Sequence, residues 1–346
     1  MKINHSKPYF NSNDFDSVKD VLTRAYTTNG PVAAEIAKMS ASLLGKKYGI
    51  AVQSGTDALT TAFKILDLPK YSEVAVPAYV CSAPLDALSI ASLKPKVIDI
   101  DKDTLSISIN QLNGGIINSY VLATHLFGIP APIYKIKNSF IIEDCAQTLA
   151  TEIDGRKVGS MGDVSVCSFY STKLIAAGHG GIIAVDSELL FNKINDLLVH
   201  DNREDWKLHY HFLMSDFNAA LAKSQLLKLD DMILRRKAIA KRFLAASGEK
   251  ESIERVVYSR FLVIAFDGAD KLIKKFNEAG IEAKRPVYKP LFKYLNLPPE
   301  EFPNAEWAHN SIVSVPIYPA LTEIEIEYIE HFLEDHKDEF RCWPST

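Results

Sequence analysis

The 346-residue sequence has only four cysteines, no long uninterrupted apolar run and no strong excess of one charge. The cysteines lie far apart and form no C-x-x-C pair, which argues against a zinc site and a disulfide framework and predicts buried free thiols. Residues 104–134 contain no Asp, Glu, Lys or Arg, but polar residues, glycines and prolines interrupt them. They therefore lack the roughly 20 mainly apolar residues of a membrane helix. Because the N-terminus also lacks an apolar signal region, we expect a soluble cytoplasmic protein with no membrane partner and no metal site.

The charge balance excludes two further classes of protein. The 39 Lys and Arg residues against 43 Asp and Glu residues leave a net charge of -4, which is not the basic footprint of a nucleic-acid-binding protein. A composition with 24% charged and 47% hydrophobic residues is that of an ordinary globular protein and excludes disorder. The length predicts about two domains.

Short apolar, β-rich runs alternate with longer helical patterns over the first two thirds of the chain. This alternation predicts an α/β domain in which helices cover a mainly parallel sheet. The predicted strands are 50–52, 73–76, 96–100, 120–123, 139–142, 164–169 and 181–185. The predicted helices between them are 56–66, 82–91 and 188–199.

A long helix is predicted to open at Asp216 and to run unbroken to about Ala245. The residues at helical spacing that support it are Leu221, Gln225, Leu229 and Ile233. We place the boundary between two domains inside or after this helix, near Asp231. The large domain is predicted at 1–231, with an N-terminal arm of about residues 1–30, and the small domain at 232–346.

The C-terminal third mixes strand and helix patterns and predicts a smaller α+β domain. A strand is predicted at 261–266 and a helix at 271–279. Thr322 is followed three residues later by Glu325, which is the pattern of a capping box at the start of a final helix through about residue 332.

The first segment with chemical potential begins at Ser54, directly after a predicted strand. Ser54-Gly55-Thr56 opens a helix, and the free backbone N–H groups at a helix N-terminus, with hydroxyls and a glycine beside them, suit a phosphate group. The alternative is that Ser54 only caps the helix.

The second segment is Glu143-Asp144-Cys145-Ala146-Gln147, at the end of an apolar strand. Acidic residues at the carboxyl end of a strand lie where open α/β sheets bind ligands. The alternative is that Asp144 only caps the following turn.

The third segment ends at Lys173, just beyond a predicted buried strand, with a glycine-rich turn at 178–181 behind it. A lysine held in a dry pocket has a lowered pKa and a nucleophilic amine. The alternative is an ordinary solvated lysine.

Together, the three segments favour one cofactor. No G-x-G-x-x-G, Walker, H-E-x-x-H or G-x-S-x-G motif is present. Pyridoxal 5'-phosphate needs three groups from a protein: a site for its phosphate, a carboxylate for its pyridine nitrogen and an amine for its aldehyde. The chain offers them in this order, with the lysine 29 residues after the carboxylate.

From about Tyr26 to about Ile329 the sequence also resembles the DegT-type (DegT/DnrJ/StrS) sugar aminotransferases, pyridoxal-phosphate enzymes of aspartate aminotransferase fold type I. The motifs that carry the resemblance are Asn29-Gly30-Pro31, SGTDAL at 54–59, VPAY at 76–79, HLFG at 125–128, EDCAQ at 143–147, SFYSTK at 168–173, MSD at 214–216 with Ala219-Ala220, and SVPI at 314–317. The fold implied is a large domain with a mainly parallel sheet and a smaller α+β C-terminal domain.

The resemblance also implies roles for individual residues. Lys173 would be the catalytic lysine that forms a Schiff base with the cofactor, and Asp144 would pair with the pyridine nitrogen. Gln147 would lie beside the ring hydroxyl. Ser168, together with Gly55 and Thr56, would bind the cofactor phosphate.

Four positions depart from the family pattern. His211 stands where a partner-subunit Asn usually reaches the cofactor phosphate, and it could still donate to that phosphate, whereas Leu213 replaces an Arg. His179 replaces an acidic residue. Cys81 stands where an aromatic residue often covers the cofactor ring, which leaves Tyr79 as the substitute that we assign to cofactor binding.

Several residues have both a structural and a functional interpretation. A metal site is one interpretation of the three histidines His200, His209 and His211. Their spacing argues against it, because His residues two positions apart do not share a helix face. His125 is interpreted equally well as a pocket residue and as a buried structural histidine.

The cysteines near the motifs are interpreted as structural, and a charged segment of the C-terminal region has two interpretations. Cys145 and Cys167 are interpreted as buried thiols, since no basic partner is identifiable. Arg285, with Tyr288 and Lys289, fits a contact to an anionic substrate group and a solvated charged loop equally well.

The function predicted is transfer of an amino group from a donor such as glutamate to a keto sugar, nucleotide-linked in the leading interpretation, by a homodimer. Two alternatives stay open. One is a pyridoxal-phosphate-dependent sugar dehydratase or epimerase, against which Lys173 argues because the family's dehydratases typically have His there. The other is a cofactor-binding sensor without turnover.

Overall fold

The structure, a computed structural model, describes residues 1–28, 30–115, 119–199, 204–249 and 256–343. Asn29 and His200 lie outside the described residues. The helices are α1 (Ser12–Arg24), α2 (Pro31–Leu43), α3 (Gly55–Lys64), α4 (Ala83–Ile90), α5 (Ile109–Gly115), α6 (Glu188–Leu198), α7 (Asp216–Leu227), α8 (Leu229–Ala246), α9 (Ala269–Glu278), α10 (Leu291–Tyr294), α11 (Pro303–Ser311) and α12 (Glu323–Asp335). The strands are β1 (Tyr48–Val52), β2 (Glu73–Pro77), β3 (Lys94–Ile98), β4 (Ser119–Thr124), β5 (Ser139–Asp144), β6 (Glu152–Ile153), β7 (Arg156–Lys157), β8 (Val164–Ser168), β9 (Gly181–Val185), β10 (Phe261–Ala265), β11 (Ile312–Val315) and β12 (Phe340–Trp343).

Seven of the described strands form one sheet in the order β1-β9-β8-β5-β4-β2-β3. Its strands pair in parallel except at β9, which runs against both β8 and β1. The prediction of an α/β fold with a mainly parallel sheet is therefore confirmed. Because β1 runs in the same direction as β8, the carboxyl ends of β1, β2, β4, β5 and β8 meet at one edge, where open α/β sheets bind ligands.

Helices cover both faces of this sheet. In β9, Ile183 and Val185 pack into the apolar layer that includes α3, whereas Ile182 and Ala184 pack into the layer that includes α2. Successive strand residues point to opposite faces, so a strand buried on both sides is apolar at every position. This explains why β8 and β9 are buried throughout.

A second, antiparallel sheet has the order β11-β10-β12. α9 packs against β10 and β11, and α12 packs against α8. The predicted boundary at residue 231 falls within α8, and the division of the chain into two domains stays a prediction.

The prediction of one long helix from Asp216 to about Ala245 is wrong in one respect, because this stretch forms two consecutive helices. α7 ends at Leu227, α8 begins at Leu229, and Lys228 between them has φ −112° and ψ 13°. Tertiary contacts hold this junction: Lys228 Nζ forms an ion pair with the buried Asp14, and Gln225 Nε2 donates to Asp14 Oδ1 at 3.0 Å. The helical spacing of apolar residues cannot predict such long-range contacts.

Capping residues define both ends of the chain. Within the predicted N-terminal arm, α1 begins after Asn11, whose backbone N–H donates to Asp14 Oδ2 at 2.8 Å. The capping box predicted for α12 is confirmed, since the Thr322 N–H donates to Glu325 Oε2 at 2.8 Å and the Glu325 N–H donates to Thr322 Oγ1 at 3.3 Å. Over the described ranges, no helix has the length and apolar character that crossing a bilayer requires.

Candidate active site

The carboxyl edge of the seven-stranded sheet borders a cavity of about 960 Å³. Six of the eight predicted site residues line it: Gly55, Thr56, Asp144, Gln147, Ser168 and Lys173. They belong to three stretches of chain that follow β1, β5 and β8. The parallel topology therefore brings together the three segments that the sequence singled out.

The N-terminus of α3 forms one wall of the cavity. Ser54 caps the helix, because its Oγ accepts from the Asp57 N–H at 3.1 Å. Gly55 lies so close to β8 that an added Cβ would be 2.8 Å from Ser168 Cβ. Capping and anion binding are thus compatible, since the first N–H groups of a helix have no partner within it and Ser168 contributes a hydroxyl beside them.

We expect Gly55→Ala to weaken both the fold and anion binding at this wall. The new methyl group must displace Ser168, and such overpacking costs about 1–3 kcal/mol of unfolding free energy. Gly114→Ala in α5 is the matched control, because an added Cβ there meets nothing within 4 Å. Denaturant unfolding and titration with inorganic phosphate measure the two effects. Equal behaviour of the two variants would contradict this account of Gly55.

Asp144 ends β5 at the centre of the sheet, where Thr124 of β4 and Val166 of β8 are its neighbours. Its Oδ1 accepts from the Ala146 N–H at 2.8 Å, so the carboxylate does cap the following turn. It also faces the cavity. Burial raises the pKa of Asp144, and the positive charge of Lys173 acts in the opposite direction. A cation or a protonated ring nitrogen in the cavity would stabilise this carboxylate in its ionised form.

Lys173 lies in the turn after β8, where its backbone N–H donates to Tyr170 O at 2.8 Å. Its side chain lines the cavity, which argues against an ordinary solvated lysine. Burial is the main cause that lowers the pKa of its amine, and the charge of Arg260 adds to this, whereas Asp144 and Cys81 oppose it. Lys173 is therefore uncharged over a wider pH range than an exposed lysine, as a nucleophile or base must be.

His125 is both a cavity residue and a satisfied buried histidine. Its Nδ1 accepts from the Ala131 N–H at 2.9 Å, so its Nε2 carries the proton and donates to Glu143 Oε1 at 3.0 Å. Glu143 also accepts hydrogen bonds from the backbone N–H groups of Gly159, Met161 and Gly162. Burial acts to raise the pKa of Glu143, but the hydrogen bond from His125, followed by those from the backbone of Gly159 and Gly162, lowers it overall.

Cys145 lies close enough to His125 and Glu143 for the three side chains to share a metal ion. Both ring nitrogens of His125 and both oxygens of Glu143 are already engaged, so the cluster is explained as a hydrogen-bond network that orients His125. No other such cluster occurs among the described residues, and this one contains neither His209 nor His211. The role of Glu143 was not predicted, because its partners, His125 and the turn at 159–162, form no local motif with it.

Two predicted site residues do not line the cavity. Tyr79, predicted to contact the cofactor, is fully buried, packs edge-on against Phe127 and places its hydroxyl 3.4 Å from Ala308 O. Cys81, two residues on, faces the cavity and is exposed, so the expectation that all four thiols are buried is wrong. His211 lies on the surface of this chain, where its carbonyl oxygen accepts from Gln53 Nε2 at 2.6 Å.

The other departures from the family pattern do face the cavity. His179 and Leu213 both line it, and the ring of His179 lies 5.7 Å from that of Tyr170. Arg285 does not line it, because its guanidinium forms an ion pair with Asp270 and donates to His309 O. Asn218, which the sequence analysis missed, also lines the cavity and donates to Ala177 O at 2.7 Å.

Comparison with protein families gives one match over most of the chain. The model described as the DegT/DnrJ/EryC1/StrS aminotransferase family matches residues 8–334. An uncharacterized protein of Methanocaldococcus jannaschii, MJ1066, is 27% identical over 364 aligned residues, which cover 92% of this chain and 94% of that protein.

Solved structures share the fold. The putative sugar aminotransferase Spr1654 from Streptococcus pneumoniae, in its PLP form, superposes with a TM-score of 0.88 at 20% identity and covers 98% of this chain and 99% of its own. The E. coli GDP-4-keto-6-deoxy-D-mannose-3-dehydratase with bound hydrated PLP superposes with a TM-score of 0.83 at 22% identity, covering 96% of this chain and 100% of its own. The prediction of fold type I is confirmed.

Proposed function

Because the chain belongs to the DegT/DnrJ/EryC1/StrS aminotransferase family, we propose that it transfers an amino group from an amino-acid donor such as glutamate to a nucleotide-linked keto sugar. The observation that supports this most is the shared cavity of the α3 N-terminus, Asp144 and Lys173. An anion site, a buried carboxylate and a lysine of lowered pKa serve three different parts of one cofactor.

The cofactor is pyridoxal 5'-phosphate, and the residues present fit it. The close approach of Gly55 to Ser168 leaves the first turn of α3 open to a phosphate group, which Thr56 and Ser168 would bind with their hydroxyls. Asp144 would hold the pyridine nitrogen, and Gln147 would lie beside the ring hydroxyl. When bound, this cofactor supplies an aldehyde that exchanges amines and a ring that accepts the electron pair released by proton removal.

Lys173 and Asp144 have complementary tasks in this proposal. The amine of Lys173, in its uncharged form, would hold the cofactor through its aldehyde carbon, and the same amine, once free, would act as the general base that removes the proton from the donor α-carbon. Asp144, in its ionised form, would hold a proton on the ring nitrogen of the bound cofactor. The protein thus places a base and a fixed negative charge on the same cavity wall before the donor arrives.

We further propose a homodimer in which His211 reaches the site of the partner chain. The support is indirect: His211 lies at the surface, next to Phe212, Leu213 and Met214, and the last two of these line the cavity of their own chain. Sedimentation of the purified protein tests the assembly, and a 38.5 kDa monomer would remove this role from His211.

Addition of L-glutamate to the cofactor-loaded protein tests the proposed function. We expect the visible absorbance of the cofactor to fall as its aminated form accumulates, with one equivalent of 2-oxoglutarate released for each site. A keto sugar that serves as the acceptor should then restore the original spectrum. N-acetyl-L-glutamate, which keeps both carboxylates but has no free amine, is the control and should change nothing.

Two other results would indicate the alternatives. A spectrum that L-glutamate never alters would support a sensor without turnover. A sugar product that has lost a hydroxyl group and gained no amine would support a dehydratase, an activity that the E. coli structural neighbour carries in its name.

A further inference from the structure

A second, much smaller cavity of about 20 Å³ lies on the other side of the loop that carries Lys173. Thr172 and Lys173 line both this cavity and the large one, so they form the wall between them. The charged residues that line the small cavity are all cationic: Lys7, Lys173, Arg236 and Arg260. Among the described residues, no Asp or Glu lines it.

Of the two arginines of this cavity, Arg236 is buried and Arg260 is half-buried, and neither has a countercharge among the described residues. Arg236 is only 7% exposed and donates through one guanidinium nitrogen to the neutral carbonyl oxygens of Tyr258 and Ile317. Arg260 is 3.3 Å from the ring nitrogen Nδ1 of His5. In the part of the chain that the structure describes, neither arginine forms an ion pair with a carboxylate. Buried charges of this kind are costly unless an anion compensates them.

Two buried polar atoms at the same cavity also lack a partner. Arg236 Nε and Ser259 Oγ make no hydrogen bond with any residue that the structure describes, although both residues are more than nine-tenths buried. An unsatisfied buried donor in a native protein calls for a ligand or a trapped water. Here a guanidinium N–H and a hydroxyl lie unsatisfied beside a second guanidinium, and this donor set matches a carboxylate.

Desolvation lowers the pKa of both guanidinium groups, that of Arg260 to about 10. Burial lowers the pKa of Arg236 to about 9, and the charge of Arg260 contributes to this. The charge of Arg260 also lowers the pKa of Lys173, so Arg260 acts at short range on the reacting amine. An anion bound between these groups would reverse each of these effects.

We propose that Arg260, Arg236 and Ser259 form the subsite for the α-carboxylate of the amino-acid donor, an inference that rests on the proposed aminotransferase function. In an α-amino acid, a single carbon separates the amine from the carboxylate. A donor amine that replaces the amine of Lys173 therefore brings its carboxylate to the groups flanking Lys173. Displacement of the Lys173 side chain removes part of the wall between the cavities and lets that carboxylate reach the arginines.

A matched pair of donors tests the subsite. L-glutamate has an α-carboxylate, whereas 4-aminobutanoate keeps the distal carboxylate and lacks the α one. For Arg260→Gln, we expect kcat/KM of the donor half-reaction to fall about tenfold or more with L-glutamate, as when a hydrogen bond to a charged group is lost, and to stay unchanged with 4-aminobutanoate. Arg235→Gln, which removes an exposed charge paired with Glu323, is the control and should resemble the wild type with both donors.

A binding measurement keeps the proposal testable if Arg260→Gln fails to fold. Glutarate has two carboxylates but no amine, so it binds without reacting. We expect the wild type to unfold at a higher temperature in glutarate than in the uncharged glutaramide at equal ionic strength. In Ser259→Ala, this difference in unfolding temperature should be smaller.

The outcomes separate this subsite from the proposed function. One outcome is that glutarate stabilises the protein in a way that depends on Ser259 or Arg260 while no amino donor converts the bound cofactor to its aminated form. That combination would support the anion site and refute the aminotransferase function. A normal half-reaction with equal donor preference in the wild type and Arg260→Gln would refute the subsite alone. Equal unfolding temperatures in glutarate and glutaramide would also refute it, and would indicate that a trapped water satisfies these groups.

Discussion

Replacing Lys173 by alanine is expected to abolish covalent attachment of the cofactor and to slow the half-reaction with L-glutamate by about 1,000-fold or more. The variant loses both the amine that binds the cofactor and the base that moves the substrate proton. The fold should survive. Because burial lowers the pKa of Lys173 in the folded state, protonation of the unfolded chain favours unfolding at every pH below the ordinary pKa of lysine, so removal of this amine should not lower the unfolding temperature.

Borohydride reduction of the loaded wild type, followed by peptide mapping, identifies the attached residue directly. The pyridoxyl label should lie on Lys173 and be absent from Lys173→Ala. Lys241→Ala, at an exposed position of α8, is the control for loss of a lysine and should keep both label and rate. A small primary amine such as methylamine should restore part of the proton-transfer rate in Lys173→Ala. Label on any other lysine would refute the assignment.

The site segments were predictable because each follows a buried strand directly. Gly55, Asp144 and Ser168 lie at or just beyond the ends of β1, β5 and β8, and parallel strands place such ends at one edge of the sheet. Local sequence therefore determined which residues meet, without knowledge of distances. The fold class followed from the same alternation of strands and helices.

Tyr79 shows where this reasoning fails. It follows β2 closely, as Asp144 ends β5, but which side chain enters the cavity depends on how the chain turns after the strand. Hydrogen bonds from Leu291 N to Ala78 O and from Ala78 N to Ile98 O fix that turn, so Tyr79 enters the core and Cys81 faces the cavity. Both bonds join residues that are distant in sequence, and no local pattern reveals them.

The arginine subsite was equally hidden in the sequence. Arg236 lies on α8 and Arg260 borders β10, and each is surrounded by ordinary residues in a stretch without any motif. Their significance comes from burial without a countercharge, which is a property of the folded chain. The break at Lys228 has a similar origin, because the partner that holds it, Asp14, is more than 200 residues away.

Asp144→Asn is expected to lower kcat of the half-reaction by about 100-fold or more while the KM for L-glutamate changes little. Asparagine has nearly the same size as aspartate and can keep the hydrogen bond that Oδ1 accepts from the Ala146 N–H. It has no negative charge, so the ring nitrogen loses the group that keeps it protonated. Cofactor should still bind, because Gly55, Thr56 and Lys173 are unchanged. The measurement is single-turnover kinetics at equal cofactor occupancy.

The pH profile adds a readout that a purely structural role would not affect. Burial raises the pKa of Asp144, whereas a protonated ring nitrogen beside it would lower that pKa. Lowering the pH until this carboxylate is protonated should slow the wild type, because the ring nitrogen then loses its charged partner. Asp144→Asn has no such group to titrate and should lack this acid limb. Asp163→Asn is the matched control, since Asp163 accepts from the Ile141 N–H at 2.8 Å on the same sheet and does not line the cavity. If Asp144→Asn matched Asp163→Asn in rate and pH profile, Asp144 would be only the cap of its turn, and its proposed role toward the ring nitrogen would be refuted.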